Sequence, residues 1–398
     1  MADKLIVKNF GPIDDAELDI KKTTVLIGPQ GSGKSTLAKL VAIFGDKIFF
    51  KQLILNGPSN YLSNFNLNDY LSKSSHFRFN NSSYEINFQN GEFIPELDEK
   101  LDDLIRSNAE QSPMNSSLPL KSINEYIRFN IQRKPLTSSN YTILSQGYIS
   151  SSFSNLTLPI SYYLPTERFF ISTISQSILG LMSNNIALPK YVVDFGSWFE
   201  VARNQNSEIP IDFLKIRYKY ENGIDKVILD NNKEIKLSAS ASGFQSIIPL
   251  KLVIENNFKN DLTNFIIEEP ELNLFPVTQK HLIQYLVDRC TQNKNQLMMT
   301  THSPYVLSSL NLLVFAYQTA QKHPERIEEI KAIVPQESWI NPDEFAAYYV
   351  DEGTVRSIIS PKTGLIAENE LDGVSDMIGD EFDALMDIYR IPTHETVA

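Results

Sequence analysis

The chain has 398 residues, 42 % hydrophobic and 21 % charged, with a formal net charge of −12. That composition excludes a disordered or fibrous polymer, and the length allows one large composite domain or two. The acidic balance argues against nucleic-acid binding over the whole surface; Lys121, Arg128, Arg133 and Lys134 form only a weak local cluster. No apolar run approaches the roughly 20 residues that cross a bilayer, and no secretory pattern opens the chain. A lone cysteine, Cys290, excludes an internal disulfide and reads as a core residue late in a helix, so a cytoplasmic protein without membrane contact is expected.

In chain order, residues 4 to 50 predict a strand at Leu5-Ile6-Val7, a turn at Gly11-Pro12 and a strand from Thr23 to Ile27. A glycine loop follows, then a helix with Leu37, Leu40, Val41 and Phe44 at helical spacing and Gly45 as its stop signal. From about 51 onward the chain is rich in Asn and Ser and weakly periodic. A hairpin is predicted from Phe77 to Phe79 and Tyr84 to Phe88 around Asn80-Asn81-Ser82, and a short helix between Leu97 and Ile105. No run of several heptads is present, which excludes a long coiled coil.

From 211 the pattern predicts a hairpin, Phe213 to Tyr220 and Lys226 to Leu237, with its turn at Asp230-Asn231-Asn232. A Ser/Gly-rich loop, a helix from Ile247, an apolar strand at Phe265 to Ile267, a helix from Val277 and a strand from Gln296 to Thr300 complete this stretch. Strands alternating with helices imply an α/β fold with a mainly parallel sheet and its chemistry at the strand ends. A closing amphipathic helix would align Leu371, Val374, Ile378, Phe382, Leu385 and Tyr389. The expected organisation is a core from 1–50 and 160–315, an inserted, partly helical region at 51–159, and a tail at 316–398 packing on the core.

Four motifs carry chemistry. Gly28-Pro29-Gln30-Gly31-Ser32-Gly33-Lys34-Ser35, followed by Thr36, matches the phosphate-loop pattern. Its amides turn inward around phosphates at a helix N-terminus, Lys34 adds a mobile cation, and the Ser35 hydroxyl is placed to ligate Mg²⁺. An apolar strand ending in Glu268 and Glu269 puts one acid at the metal and the other at the attacking water. His302, 33 residues beyond Glu269, lies just past another apolar strand, with Ser303-Pro304 opening a helix. The loop Ser238 to Gln245, with Ser240, Ser242, Gly243 and Gln245, precedes a helix and forms a second anion site. Both anion sites cannot serve one phosphate within one subunit, so the second is expected to act across a pair of chains.

In this order the four elements resemble the ABC-class ATPases of the RecF, SMC and OLD group. The resemblance rests also on Lys8-Asn-Phe-Gly-Pro-Ile13, Glu269-Pro-Glu-Leu-Asn-Leu-Phe-Pro276 and Thr301-His-Ser-Pro304, which look closest to the OLD-like branch. Tyr163-Leu-Pro-Thr-Glu-Arg168 and Thr363-Gly-Leu-Ile-Ala-Glu368 look similar to stand-alone ATPases of anti-phage systems such as PARIS or Septu.

The resemblance implies a P-loop ABC-type ATPase head, with a mixed N-terminal sheet beside a parallel core sheet. It implies ATP and Mg²⁺ as cofactors and a homodimer or higher oligomer closed head-to-tail around ATP. A sensor role controlling a separate nuclease or toxin follows, with a RecF-like DNA-end-binding ATPase as the alternative. Departures are Glu268 in place of aspartate, Ser-Gly-Phe-Gln in place of Ser-Gly-Gly-Gln, and no evident Q-loop glutamine beyond Gln146. Arg168 is open between a phosphate-sensing cation and a structural ion pair. Asp351-Glu-Gly353 resembles only the first part of a Toprim nuclease site, and no Asp-x-Asp follows, so no intrinsic nuclease domain is expected.

Overall fold

A computed structural model describes residues 3–56, 61–99, 101–103, 158–174, 188–367 and 379–386. Gln146, the basic cluster at 121–134 and most of the closing helix lie outside these. Residues 379–386 are helical, but Phe382 and Leu385 are more than half exposed, so this part of the expected apolar stripe does not pack on the core.

Fifteen strands are described, eleven of them in one mixed sheet. Its antiparallel half is β6 (Glu92–Leu97), β5 (Tyr84–Gln89), β4 (His76–Asn80), β1 (Asp3–Phe10) and β2 (Ile13–Ile20), in that spatial order. Its parallel half is β14 (Phe345–Asp351), β3 (Thr23–Ile27), β13 (Gln296–Thr301), β12 (Thr263–Glu268) and β7 (Ile160–Leu164). β15 (Thr354–Ser357) joins the halves: it returns antiparallel to β14 and meets β2 at a single registered pair, Thr354 with Asp15. This is the α/β head expected from the sequence, but the sheet takes β4 to β6 from beyond residue 51 and β14 and β15 from beyond 316. The expected boundaries therefore do not coincide with its edges. Strand hydrogen bonding needs neighbours in space, and both outlying stretches supply them.

Helix α1 (Lys34–Phe44) follows the phosphate loop and buries Leu37, Leu40, Val41 and Phe44, the four apolar positions read from the sequence. Gly45 ends it as predicted. Phe44 then meets Phe49, Phe77, Phe79 and Phe93, with ring centroids 5.7–6.2 Å apart. This cluster fixes the antiparallel half under the loop helix, and each fully buried ring contributes about 1.5–3 kcal/mol by area alone. Helix α2 (Lys47–Asn56) is capped by Asp46, whose carboxylate accepts from the Ile48 and Phe49 amides while its second oxygen takes the Ser161 amide of β7. A one-turn helix, α3 (Tyr61–Asn64), follows.

Helix α4 (Arg168–Ile174) leaves the end of β7, and α5 (Lys190–Gln205) leads to a separate four-stranded sheet. That sheet is ordered β11 (Glu234–Lys236), β10 (Ile224–Leu229), β9 (Ile216–Glu221), β8 (Glu208–Ile211). The hairpin expected to turn at 230–232 in fact turns first at Asn222-Gly223. Both residues have positive φ (53° and 77°), the two-residue turn that matches strand twist, and Asp230 to Asn232 forms the second bend. Arg203 of α5 pairs with buried Asp225 at 3.0 Å, and Tyr218 donates to the same carboxylate at 2.5 Å, anchoring the small sheet.

Helix α6 (Ser242–Asn257) starts inside the Ser/Gly loop, five residues earlier than read from the sequence. α7 (Pro276–Cys290), ending in buried Cys290, α8 (Pro304–Lys322) and the short α9 (Ile327–Ile333) complete the layer. No helix among the described residues is long and apolar enough to cross a membrane.

Candidate active site

Parallel registration brings the motifs to one edge. Ile27 of β3 is level with Thr301 of β13 and Tyr349 of β14, Glu268 of β12 with Thr300, and Ile267 with Leu164 of β7. The chain therefore leaves five adjacent strands at Gly28, His302, Glu269, Pro165 and Glu352, the carboxyl edge where such sheets hold ligands.

The phosphate loop is shaped by its glycines. Gly33 caps α1 with φ 105°, and a Cβ there would lie 2.4 Å from Ile13 Cδ1. The Gly11-Pro12-Ile13 turn of the opening motif is thus the floor under the loop. Lys34 folds inward, its Nζ donating to the Gly28 and Pro29 carbonyls at 2.8 and 2.7 Å. Ser35 is exposed at the start of α1, while Thr36 is buried.

Burial pushes the Lys34 ammonium down to about 8, against the opposing pull of Glu269, Glu271, Asp351 and Glu268. A triphosphate on Lys34 restores its charge, so below about 8 the lysine is already protonated and above it binding must take up a proton. Nucleotide affinity is therefore expected to fall as pH rises through that value, by up to about tenfold per pH unit. Calorimetry in two buffers of different ionisation enthalpy measures the proton uptake. Uptake staying near zero across this range would remove Lys34 as a phosphate ligand.

Glu268 is buried, and its Oε1 has no hydrogen-bond partner among the described residues. Tyr163, whose hydroxyl makes no hydrogen bond of ordinary geometry, lies close enough to Glu268 that burial, the Glu268 charge and a contact with its carboxylate push the tyrosine well above its ordinary pKa. A buried carboxylate oxygen without a well-formed hydrogen bond, at the strand edge beside an exposed Ser35, fits a Mg²⁺ ion. Among the described residues no group of three or more His, Cys, Asp or Glu is arranged to hold a metal by itself. When bound, the ion would neutralise phosphate charge; Ser35 and Glu268 are the residues that would hold it.

Glu269 sits at φ 41°, a left-handed conformation rare for a side chain of this size. Its amide donates to the Thr300 carbonyl at 3.0 Å and its carbonyl accepts from Arg168, so both sides of the strained residue are held. The half-buried carboxylate meets His302 Nε2 at 3.4 Å, and this contact above all keeps Glu269 below the usual carboxylate range. An ionised, positioned carboxylate beside an imidazole can orient or deprotonate a water attacking a phosphate.

Two residues do work that the sequence reading did not assign. Glu271 Oε1 accepts from the Thr301 hydroxyl at 2.6 Å and the His302 amide at 3.0 Å, so it sets the histidine loop from the far side of the turn. Burial raises its pKa. The only signal was the Glu-Pro-Glu spacing. Arg168, the other, makes no ion pair among the described contacts. It is fully buried and donates to the carbonyls of Pro165, Glu268 and Glu269 and to Ser246 Oγ. Ser303 and Pro304 open α8 as read from the sequence, but the Ser303 hydroxyl donates to Gln279 at 2.5 Å rather than accepting from a helix amide.

The second anion loop stands apart. Ser240 Oγ turns back to the Leu237 carbonyl at 2.7 Å, and Gln245 Nε2 closes the loop on the Ser240 carbonyl at 2.8 Å. Ser242, the first residue of α6, is exposed, and Gly243 packs on Asn273 and Leu274 beyond the acid pair. Among the described residues no hydrogen bond runs from this loop to residues 28–36.

The profile of the family AAA_15, AAA ATPase domain, matches residues 1–169 and 171–307. The chain belongs to this family and is an ATPase of the AAA_15 class. No curated protein matches it. Among solved structures, the AAA_15 chain is similar to the SMC head domain from Thermotoga maritima, at 12 % identity, 90 % of this chain, 98 % of that chain and a TM-score of 0.39. It is also similar to an ATP-binding cassette of an ABC transporter in its ADP conformation, at 10 % identity, 94 % and 99 % coverage and a TM-score of 0.37.

Proposed function

We propose that this ATPase hydrolyses Mg-ATP in a site completed by a second copy of itself, through Glu269 and His302 with Ser35 and Glu268 at the metal. The pair would act as the sensor and regulatory subunit of a bacterial anti-phage complex, controlling a separate nuclease or toxin. One observation carries the pairing. The phosphate loop, acid pair and histidine share one strand edge, while the exposed Ser242 at the start of α6 makes no hydrogen bond to residues 28–36 among the described residues. Ser242, more than the inward-bonded Ser240, is then the hydroxyl offered to the other copy's phosphates. The defence role rests on the sequence resemblance alone, and any nuclease is assigned to the partner.

Light scattering with and without Mg-ATP tests the reading. The Glu269→Gln chain should pair on adding ATP and stay paired, and Lys34→Ala should remain single. An unchanged mass with ATP, together with turnover per chain that does not vary with protein concentration, would sink the pairing. Turnover stimulated by DNA at low salt, with a steep loss of binding as salt rises, would replace the defence role with a DNA-end-binding one.

A further inference from the structure

The geometry points to Arg168 as a positioning residue that ties the Ser240–Gln245 loop to the acid pair of the same chain. Its guanidinium bridges two elements that no strand pairing connects. Nε donates to Ser246 Oγ at 3.1 Å, one residue beyond Gln245 on α6. On the other side it holds the consecutive carbonyls of Glu268, at 2.6 Å, and Glu269. Helix α4, which Arg168 opens, grips the same loop twice more. Ser172 donates to the Gln245 carbonyl at 2.6 Å and Thr173 to its side-chain oxygen at 3.1 Å.

A buried guanidinium bonded to neutral acceptors would be a plain structural choice if its targets were ordinary. They are not: Glu269 is held at φ 41°, so the carbonyl that Arg168 grips belongs to a strained residue whose own carboxylate faces His302. A small shift of α6 therefore pulls, through Ser246 and Arg168, on a residue of the acid pair whose backbone is already strained. If the loop faces a second copy's ATP, as proposed above, engagement there is reported to the chain's own Glu269. The two sites of a pair are then coupled, and the coupling path is two side chains long, Ser246 and Arg168, ending on the Glu269 carbonyl. The coupling rests on the pairing; the grip on Glu269 does not.

Steady-state ATPase over ATP and protein concentration, with binding of a fluorescent ATP analogue and thermal melting, tests this on the full chain. Ser246→Ala removes one acceptor from Arg168 without touching the phosphate loop or the acids; Arg168→Lys keeps the charge but loses the fork. Each should lower kcat by about tenfold, with KM and analogue affinity unchanged, because misplacing a reacting group by a fraction of an ångström acts on the chemical step. The cooperativity of turnover in ATP should fall with it, and the double variant should be no worse than the poorer single one. Wild-type kcat and cooperativity in Ser246→Ala, or effects that simply add, overturn the proposal. So does a loss of kcat that tracks loss of nucleotide affinity and melting temperature in both variants. A wild type whose turnover ignores protein concentration overturns the pairing instead, and the grip on Glu269 then stands or falls on kcat and additivity.

Discussion

Replacing Glu269 with glutamine is expected to cut ATP turnover by about 10²–10⁴-fold, the range that a positioned general base supplies. The amide keeps the shape of the side chain and an oxygen toward His302, which now stands 3.4 Å from Oε1. It keeps the backbone contacts to Thr300 and Arg168, since neither uses the side chain. What it loses is the negative charge that His302 holds in the ionised form. Nucleotide affinity, carried by the phosphate loop and Lys34, should change little. Phosphate release and equilibrium binding, measured on the same preparation, separate the two quantities. Turnover within about threefold of wild type would remove Glu269 from the chemistry and leave Glu271 or a water chain to explain hydrolysis.

Gly28→Ala is expected to be the most damaging glycine-to-alanine change among the described residues. A Cβ at this position would stand 2.0 Å from the Val350 carbonyl oxygen of β14, and Gly28 has φ 151°. The obstacle is strand backbone, one residue past the end of the β14–β3 ladder and paired with Val355 of β15, so either the loop or β14 must leave its place. A cost of about 3 kcal/mol or more follows from an overpacked, strained position. Gly31→Ala is the matched control: it has φ 81° but nothing within 4 Å of the added carbon, so it carries only the conformational penalty of roughly 1–2 kcal/mol. Denaturant midpoints of the two variants should therefore differ, with Gly28→Ala lower and unable to bind ATP. Equal midpoints would mean that Val350 does not lie under the loop.

The site was more legible in the sequence than the sheet that carries it. The phosphate loop, acid pair and histidine are local patterns, each a strand end with a fixed residue type, and registration of parallel strands does the rest. β2 was hidden because Asp14, Asp15, Glu17 and Asp19 read as a polar connection, although Ile13, Ala16, Leu18 and Ile20 between them are buried. β14 and β15 were hidden differently: Phe345 to Val350 is a continuous apolar run that suits a buried strand, but its place between β3 and β15 depends on contacts more than 300 residues away. Asp351-Glu352-Gly353, superficially nuclease-like, is the tight turn between these strands, with Gly353 at φ 72° against Asp14. Arg168 was visible as a residue but not as a clamp, because its acceptors are carbonyls, and a carbonyl leaves no mark in the sequence.

The join between the two halves of the large sheet has a mechanical meaning. β15 meets β2 at one registered pair, supplemented by the Asp14 and Asp15 amides on the Gly353 carbonyl and by the Tyr348 hydroxyl on Asp19. Everywhere else the plate is stitched by full ladders, so its bending compliance is concentrated along this one crease. The crease passes beside the floor of the phosphate loop, where Ile13 touches Gly33 on one side and Val350 touches Gly28 on the other. A tilt of one half against the other would therefore press or release the loop at the Ile13–Gly33 contact while Val350 and Gly28 move together, making the plate a lever that acts on one flank of the phosphate loop.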